Sequence, residues 1–154
     1  MEGKIVQTSF HFIGYKHNGK FDQYETLVAD AFKELATRLT DIPSRTDKTA
    51  ALYEPQRGPE HTEGSFYVGV IVSEKPERVP AGSEYIHIDG RYASAKGQIK
   101  NMAAIYEYVG KWIEENEYKS IWPEAFFIER YDFPVPEDDL TLEEEVEVLL
   151  PIRE

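Results

Sequence analysis

The residues best suited to chemistry lie in Phe127-Ile128-Glu129-Arg130-Tyr131. In an extended segment successive side chains point to opposite faces. Phe127, Glu129 and Tyr131 therefore share one face, and Phe126, Ile128 and Arg130 share the other. A carboxylate between two aromatic rings is costly to bury unless something pairs with it. A cationic or hydrogen-bonding ligand would supply that partner, drawn by the acid and by the negative faces of the rings. From the strand alone, the competing expectation is an exposed or Arg-paired Glu on an edge strand.

Other residues could join such a site. Phe12, Tyr53, Tyr67, Tyr92, Trp122, Phe127 and Tyr131 sit on or beside apolar extended segments. Rings of this kind hold flat apolar ligands and cations, but they also fill cores, so about half are expected in the core. The Tyr residues and Trp122 are the better cleft candidates, because their polar ends want a partner or water. Glu54 and Glu129 occupy similar places in the two halves of the chain. Facing one cleft, they would raise each other's pKa, and one could serve as a general acid or base. The alternative for Glu54 is a solvated residue at a strand end before Pro55.

Several chemistries have no support. His11, His17, His61 and His87 are scattered without a ligand spacing, which marks them as surface or hydrogen-bonded residues. There is no Cys, so no thiolate nucleophile or metal ligand. No Gly-rich phosphate loop or nucleophile elbow appears, and no cofactor or metal is expected.

The formal charge is −12 over 154 residues, a balance that repels nucleic-acid phosphates and anionic membranes. Glu137-Asp138-Asp139 and Glu143-Glu144-Glu145 carry part of it and read as a solvated face. An apolar share of 41% indicates a folded domain, and no run is long enough to span a bilayer. With no signal-peptide core near Met1, a cytoplasmic protein is expected.

The elements that must position these residues come in two rounds. Ile5 to Tyr15 is a strand by its alternation, followed by a turn at Asn18-Gly19. Asp22, with Glu25 three residues on, opens a helix whose apolar face runs from Leu27 to Leu39. Strands follow at Thr49–Glu54 and Ser65–Ser73. Strands at Glu84–Ile88 and Arg91–Ala95 meet at Asp89-Gly90, and a turn at Lys96-Gly97 leads to a second helix over Ile99, Met102, Ala103, Tyr106, Val109 and Ile113. Ala125–Tyr131 and Glu145–Pro151 are the last strands. The order is βαββ twice, with pseudo-repeats of about 1–76 and 77–154 in a single domain. The expected class is α+β: tandem βαββ repeats forming an antiparallel sheet with two long helices on one face. A central cleft is expected on the opposite face, at the junction of the halves.

Val79-Pro80-Ala81-Gly82, Tyr92-Ala93-Ser94-Ala95-Lys96-Gly97, Lys111-Trp112-Ile113, Phe127-Ile128-Glu129-Arg130-Tyr131 and Leu149-Leu150-Pro151-Ile152, in that order, resemble the GyrI-like, or bacterial effector-binding, family. Phe12-Ile13-Gly14 is the best match in the first half. The resemblance implies a tandem βαββ fold around a ligand cleft and the capture of amphipathic aromatic, often cationic, small molecules. It implies that Glu129, in its Glu-x-Tyr context, faces the cleft and meets the ligand's cation. Some members of the family hydrolyse strained cyclopropane-bearing electrophiles, and the name points to DNA gyrase as a partner. The family's transcription activators place a helix-turn-helix ahead of this domain. No counterpart of that module is expected here, and a regulatory role is expected to need a separate regulator.

Overall fold

The computed structural model describes residues 1–120, 125–132 and 144–153. The element order is β1 (Lys4–Lys20), α1 (Tyr24–Ala36), β2 (Arg45–Tyr53), β3 (Glu63–Val72), β4 (Glu84–Gln98), α2 (Met102–Glu115), β5 (Lys119–Ser120), β6 (Phe127–Tyr131) and β7 (Glu145–Arg153). A single 3-10 turn leads into each helix, at Phe21–Gln23 and Ile99–Asn101. The architecture is α+β, an antiparallel sheet with two long helices. Among the described residues no helix is long and apolar enough to cross a membrane.

The strand order is β4-β1-β3-β2-β6-β7, and β7 pairs back onto β4, so the main sheet closes on itself. Closure explains why β1 and β4 are long. β1 pairs with β4 over Lys4–Gly14 and with β3 over His11–Lys20, while β4 pairs with β1 over Glu84–Ser94 and with β7 over Tyr92–Gln98. Each strand serves two ladders, and its backbone groups stay hydrogen-bonded along its whole length.

The turns expected at Asn18-Gly19, Asp89-Gly90 and Lys96-Gly97 are absent, because the strands run straight through them. At Gly19 and Gly97 the glycine has a different use. A Cβ on Gly19 would lie 2.3 Å from Leu27 Cδ1, and one on Gly97 would lie 2.9 Å from Ile105 Cδ1. Both glycines let a helix residue sit directly on the strand. The first helix likewise starts later than expected, at Tyr24, and its entry carries no side-chain cap at Gln23.

The two halves are related by a pseudo-two-fold axis. Moving the ladder pair Lys4↔Ser94 by one repeat gives Glu84↔Gly14, which is again a pair of the same ladder. In the helices and in the β2–β6 ladder the shift carries Tyr24 onto Met102, Thr49 onto Phe127 and Tyr53 onto Tyr131. Glu129 corresponds to Ala51, and these two also face each other across the β2–β6 ladder, so both lie at the axis. Glu54 is therefore not the counterpart of Glu129.

Two cores result. One lies under the helices, where Phe32 and Leu35 of α1 and Ile105, Val109 and Ile113 of α2 pack on Ile13, Ala51, Val68 and Val148. Each such side chain contributes roughly 1.5–3 kcal/mol when fully buried. The other lies on the opposite face, inside the closed sheet, and holds Phe10, Phe12, Leu52, Tyr67, Tyr92, Ile128 and Leu149. That face is filled by its own side chains apart from a polar pocket of about 380 Å³ lined by Phe10, Ile71, Lys96, Arg130 and Glu147, so the ligand cleft expected there does not form. Closure of the sheet turned the face into an interior, and its rings filled it.

Candidate functional site

The cleft lies on the helix side. Tyr24, Glu25, Val28, Ala29 and Phe32 of α1 form one wall, and Met102, Ala103 and Tyr106 of α2 form the other. Tyr53, Phe127, Glu129 and Tyr131 make the floor, and the cavity measures about 800 Å³. That volume suits a drug-sized molecule.

Alternation along β6 builds the floor. Phe127, Glu129 and Tyr131 line the cleft. On the reverse face Ile128 is fully buried, Phe126 packs edge-on to Tyr67, and Arg130 pairs with Glu147 at 2.6 Å.

Glu129 is 7% exposed and is held by three phenols. Its Oε1 accepts from Tyr53 Oη–H at 3.0 Å and from Tyr131 Oη–H at 2.8 Å, and its Oε2 accepts from Tyr106 Oη–H at 2.7 Å. Burial pushes the Glu129 carboxyl above its usual range, and the three hydroxyl donors only partly offset this. Burial, reinforced by the Glu129 charge, pushes Tyr53, Tyr106 and Tyr131 well above the usual phenol range. The phenols are neutral donors, and the carboxylate is the single charge they surround. Inside an apolar cleft this leaves a negative centre flanked by rings, suited to a cation whose charge is spread over carbon rather than one that needs many hydrogen bonds.

Glu54 also lines the cleft but is already engaged. Its Oε1 accepts from the Ser65 backbone N–H at 2.8 Å, and its Oε2 takes Arg57 Nη1 at 2.7 Å. Burial acts to raise its pKa, yet the Ser65 N–H and the Arg57 guanidinium outweigh it and hold the carboxyl below its usual range. Glu129 does not enter among these causes, so the two acids do not behave as a mutually raised pair.

Of the residues expected at the site, Glu129, Tyr131, Phe127, Tyr53 and Glu54 meet in the cleft. Tyr92, Tyr67 and Phe12 do not, because they sit in the core on the other side of the sheet. Tyr67 donates to Glu84 instead, at 3.3 Å. Trp122 and Glu137-Asp138-Asp139 lie outside the described residues. His11 bonds Tyr85 and His87 bonds Ser9, away from the cleft. Among the described residues no three His, Asp or Glu side chains converge as metal ligands would.

Sequence reasoning missed Phe21, Tyr24 and Phe32 altogether as lining residues, and it took Tyr106 for helix core. The signal was present: Tyr24, Val28 and Phe32, like Met102 and Tyr106, recur at helical spacing on one face. A phenol inside an otherwise aliphatic stripe needs a polar partner.

Residues 4–152 match the family described as Cass2, integron-associated effector binding protein. SAV2435, solved bound to tetraphenylphosphonium, is similar in fold with a TM-score of 0.70 at 18% identity, over 99% of this chain and 94% of that one. EcmrR, solved with DNA, superposes with a TM-score of 0.69 at 13% identity over 99% of this chain, which spans 57% of that protein. The integron cassette protein VCH_CASS2 of Vibrio cholerae superposes with a TM-score of 0.60 at 12% identity, over 98% of this chain and 95% of that one. No curated protein sequence matches the chain. With its matched span and its tandem βαββ fold, the chain belongs to the integron-associated effector-binding family, within the GyrI-like group.

Proposed function

We propose that this protein captures amphipathic aromatic cations in the cleft between α1 and α2, with Glu129 as the polar anchor. The observation that carries the reading is the Glu129 carboxylate, buried at the floor of an apolar cavity and held by Tyr53, Tyr106 and Tyr131. An acid kept in such a place at a cost to its own ionisation is suited to a ligand that relieves the cost. Ring contact supplies most of the affinity, and the acid supplies the preference for positive charge. The bound tetraphenylphosphonium of SAV2435, a similar fold, has this chemistry. Calorimetry with tetraphenylphosphonium and neutral triphenylphosphine oxide tests it. Glu129→Gln should weaken the cation by about tenfold or more and the neutral compound far less. Equal losses for the two would remove Glu129 as the anchor.

A second reading is hydrolysis of a strained electrophile in the same cleft. It is favoured by the raised pKa of Glu129, since burial moves the carboxyl upward, the direction that suits a general acid or base. Mass spectrometry after incubation with a cyclopropane-bearing electrophile separates the two. A product heavier by one water, absent with Glu129→Ala, supports the enzyme; unchanged compound co-eluting with the protein supports capture alone.

A further inference from the structure

The polar pocket on the other face of the sheet lies at one end of the closed structure. Each of the six strands sends it a residue: Phe10 from β1, Lys48 from β2, Ile71 from β3, Lys96 from β4, Arg130 from β6 and Glu147 from β7. Asp132 and Glu145 also line it. Neighbouring β1 and β3 make one side apolar, and the remaining strands supply the charges. Its volume of about 380 Å³ lies at the small end of ligand sites, below the helix-side cleft.

Register sorts the charges into two levels. Arg130, Glu147 and Lys96 are ladder partners in one row across β6, β7 and β4. Glu145 stands two residues farther along β7 from the buried Leu149, so it lies nearer the rim by roughly 7 Å. Lys48 and Asp132, one step beyond the Thr49↔Tyr131 pair, also lie at the rim.

Most of these charges are matched within the protein. Glu147 takes Arg130 Nε and Nη2 on Oε1 at 3.2 and 2.6 Å, and its Oε2 accepts from Ser94 Oγ–H. Lys48 takes Asp132 at 3.0 Å. Among the described residues three groups have no such partner. Arg130 Nη1 makes no hydrogen bond, Lys96 acts on Glu147 only at longer range, and Glu145 makes no ion pair. All three are open to solvent: Lys96 and Glu145 are exposed, and the Arg130 side chain is 24% exposed.

The inner row therefore carries a positive charge in excess and the rim a negative one, while the pocket as a whole is neutral. A simple anion would approach against the formal charge of −12, and a simple cation would leave Lys96 and Arg130 unmatched. A zwitterion has no net charge to be repelled and matches both levels.

We propose that this end of the closed sheet binds a free α-amino acid with an apolar side chain. Its carboxylate lies on Lys96 Nζ and Arg130 Nη1, its ammonium on Glu145, and its side chain on Phe10 and Ile71. The core of Phe12, Leu52, Ile128 and Leu149 separates the site from the helix-side cleft, so it stands apart from cation capture.

Amide NMR titration with three matched probes tests it: L-leucine, 4-methylpentanoate, which lacks the ammonium, and 3-methylbutylamine, which lacks the carboxylate. Leucine should shift the amides around Lys96 and Glu145 and bind about tenfold more tightly than either partial probe. Lys96→Gln should remove its advantage over the amine, and Glu145→Gln its advantage over the carboxylate. Both side chains are exposed, so both variants should fold and keep their affinity for tetraphenylphosphonium. Binding of 4-methylpentanoate as tight as that of leucine overturns the zwitterion and leaves a plain carboxylate site. Absence of shifts near Lys96 and Glu145 with leucine up to its solubility overturns the site altogether.

Discussion

Tyr53 and Tyr131 are pseudo-two-fold mates, one from each half, and both donate to the same oxygen of Glu129, at 3.0 and 2.8 Å. The acid they share lies at the axis, where the other half has Ala51. A duplicated frame has thus placed two equivalent donors around one unduplicated charge. Tyr106, whose counterpart on α1 is Val28, completes the set from one side only.

The three phenols should be separable by their effect on the acid. Replacing Tyr53, Tyr106 or Tyr131 by Phe removes a donor that lowers the Glu129 pKa, so the carboxyl should titrate at still higher pH in each variant. Carboxyl NMR of Glu129 measures this directly. Each change should also lower stability, by about 1–3 kcal/mol in denaturant unfolding.

Cation binding should fade on acidification. The Glu129 pKa is raised, so the charge that holds the cation disappears as pH falls through a value above the ordinary carboxylate range. Calorimetry from pH 8 downward should show affinity for tetraphenylphosphonium falling before the other carboxyls titrate. A pH-independent affinity across that window would count against the anchor.

The same group should destabilise the empty protein at neutral pH. A carboxyl with a folded pKa above its unfolded value contributes stability below the unfolded pKa and loses it as pH rises through the folded one. Glu129→Gln removes that loss while keeping an acceptor for the phenols. Its thermal midpoint at pH 7.5 should exceed that of the natural protein, by roughly 2–4 °C per kcal/mol relieved. A more stable variant that binds cations poorly is the expected signature.

Glu147 should behave in the opposite sense. Burial acts to raise its pKa, but Ser94 and Arg130 outweigh that and hold it below the usual range. Its contribution is present above the unfolded pKa and is lost as pH falls through the folded one. Glu147→Ala leaves Arg130 without its partner and should cost about 3 kcal/mol in urea unfolding at pH 7.

Tyr92→Phe and Tyr67→Phe should leave cation affinity within about twofold, because both rings belong to the core behind the sheet. Tyr106→Phe, on the cleft wall, should reduce it. Fluorescence competition with a bound dye compares the three in one assay.

The sequence by itself determined the element types and much of the floor of the site. Period-two alternation put Phe127, Glu129 and Tyr131 on one face, and helical spacing marked the stripes that α1 and α2 bury, because both signals are local. The βαββ order, read twice, was visible for the same reason. Tertiary structure decided the rest. Whether Gly19 and Gly97 turn the chain depended on what lay across the ladder and under the helix, not on the residues beside them. Which face holds the cleft depended on β7 returning to β4, a pairing between residues about 47 to 59 positions apart that closes the sheet and buries Phe12, Tyr67 and Tyr92. The meeting of Tyr53, Tyr106 and Tyr131 at one carboxylate is likewise a product of register and helix docking. Three side chains from three elements converge only once the pseudo-two-fold frame has formed.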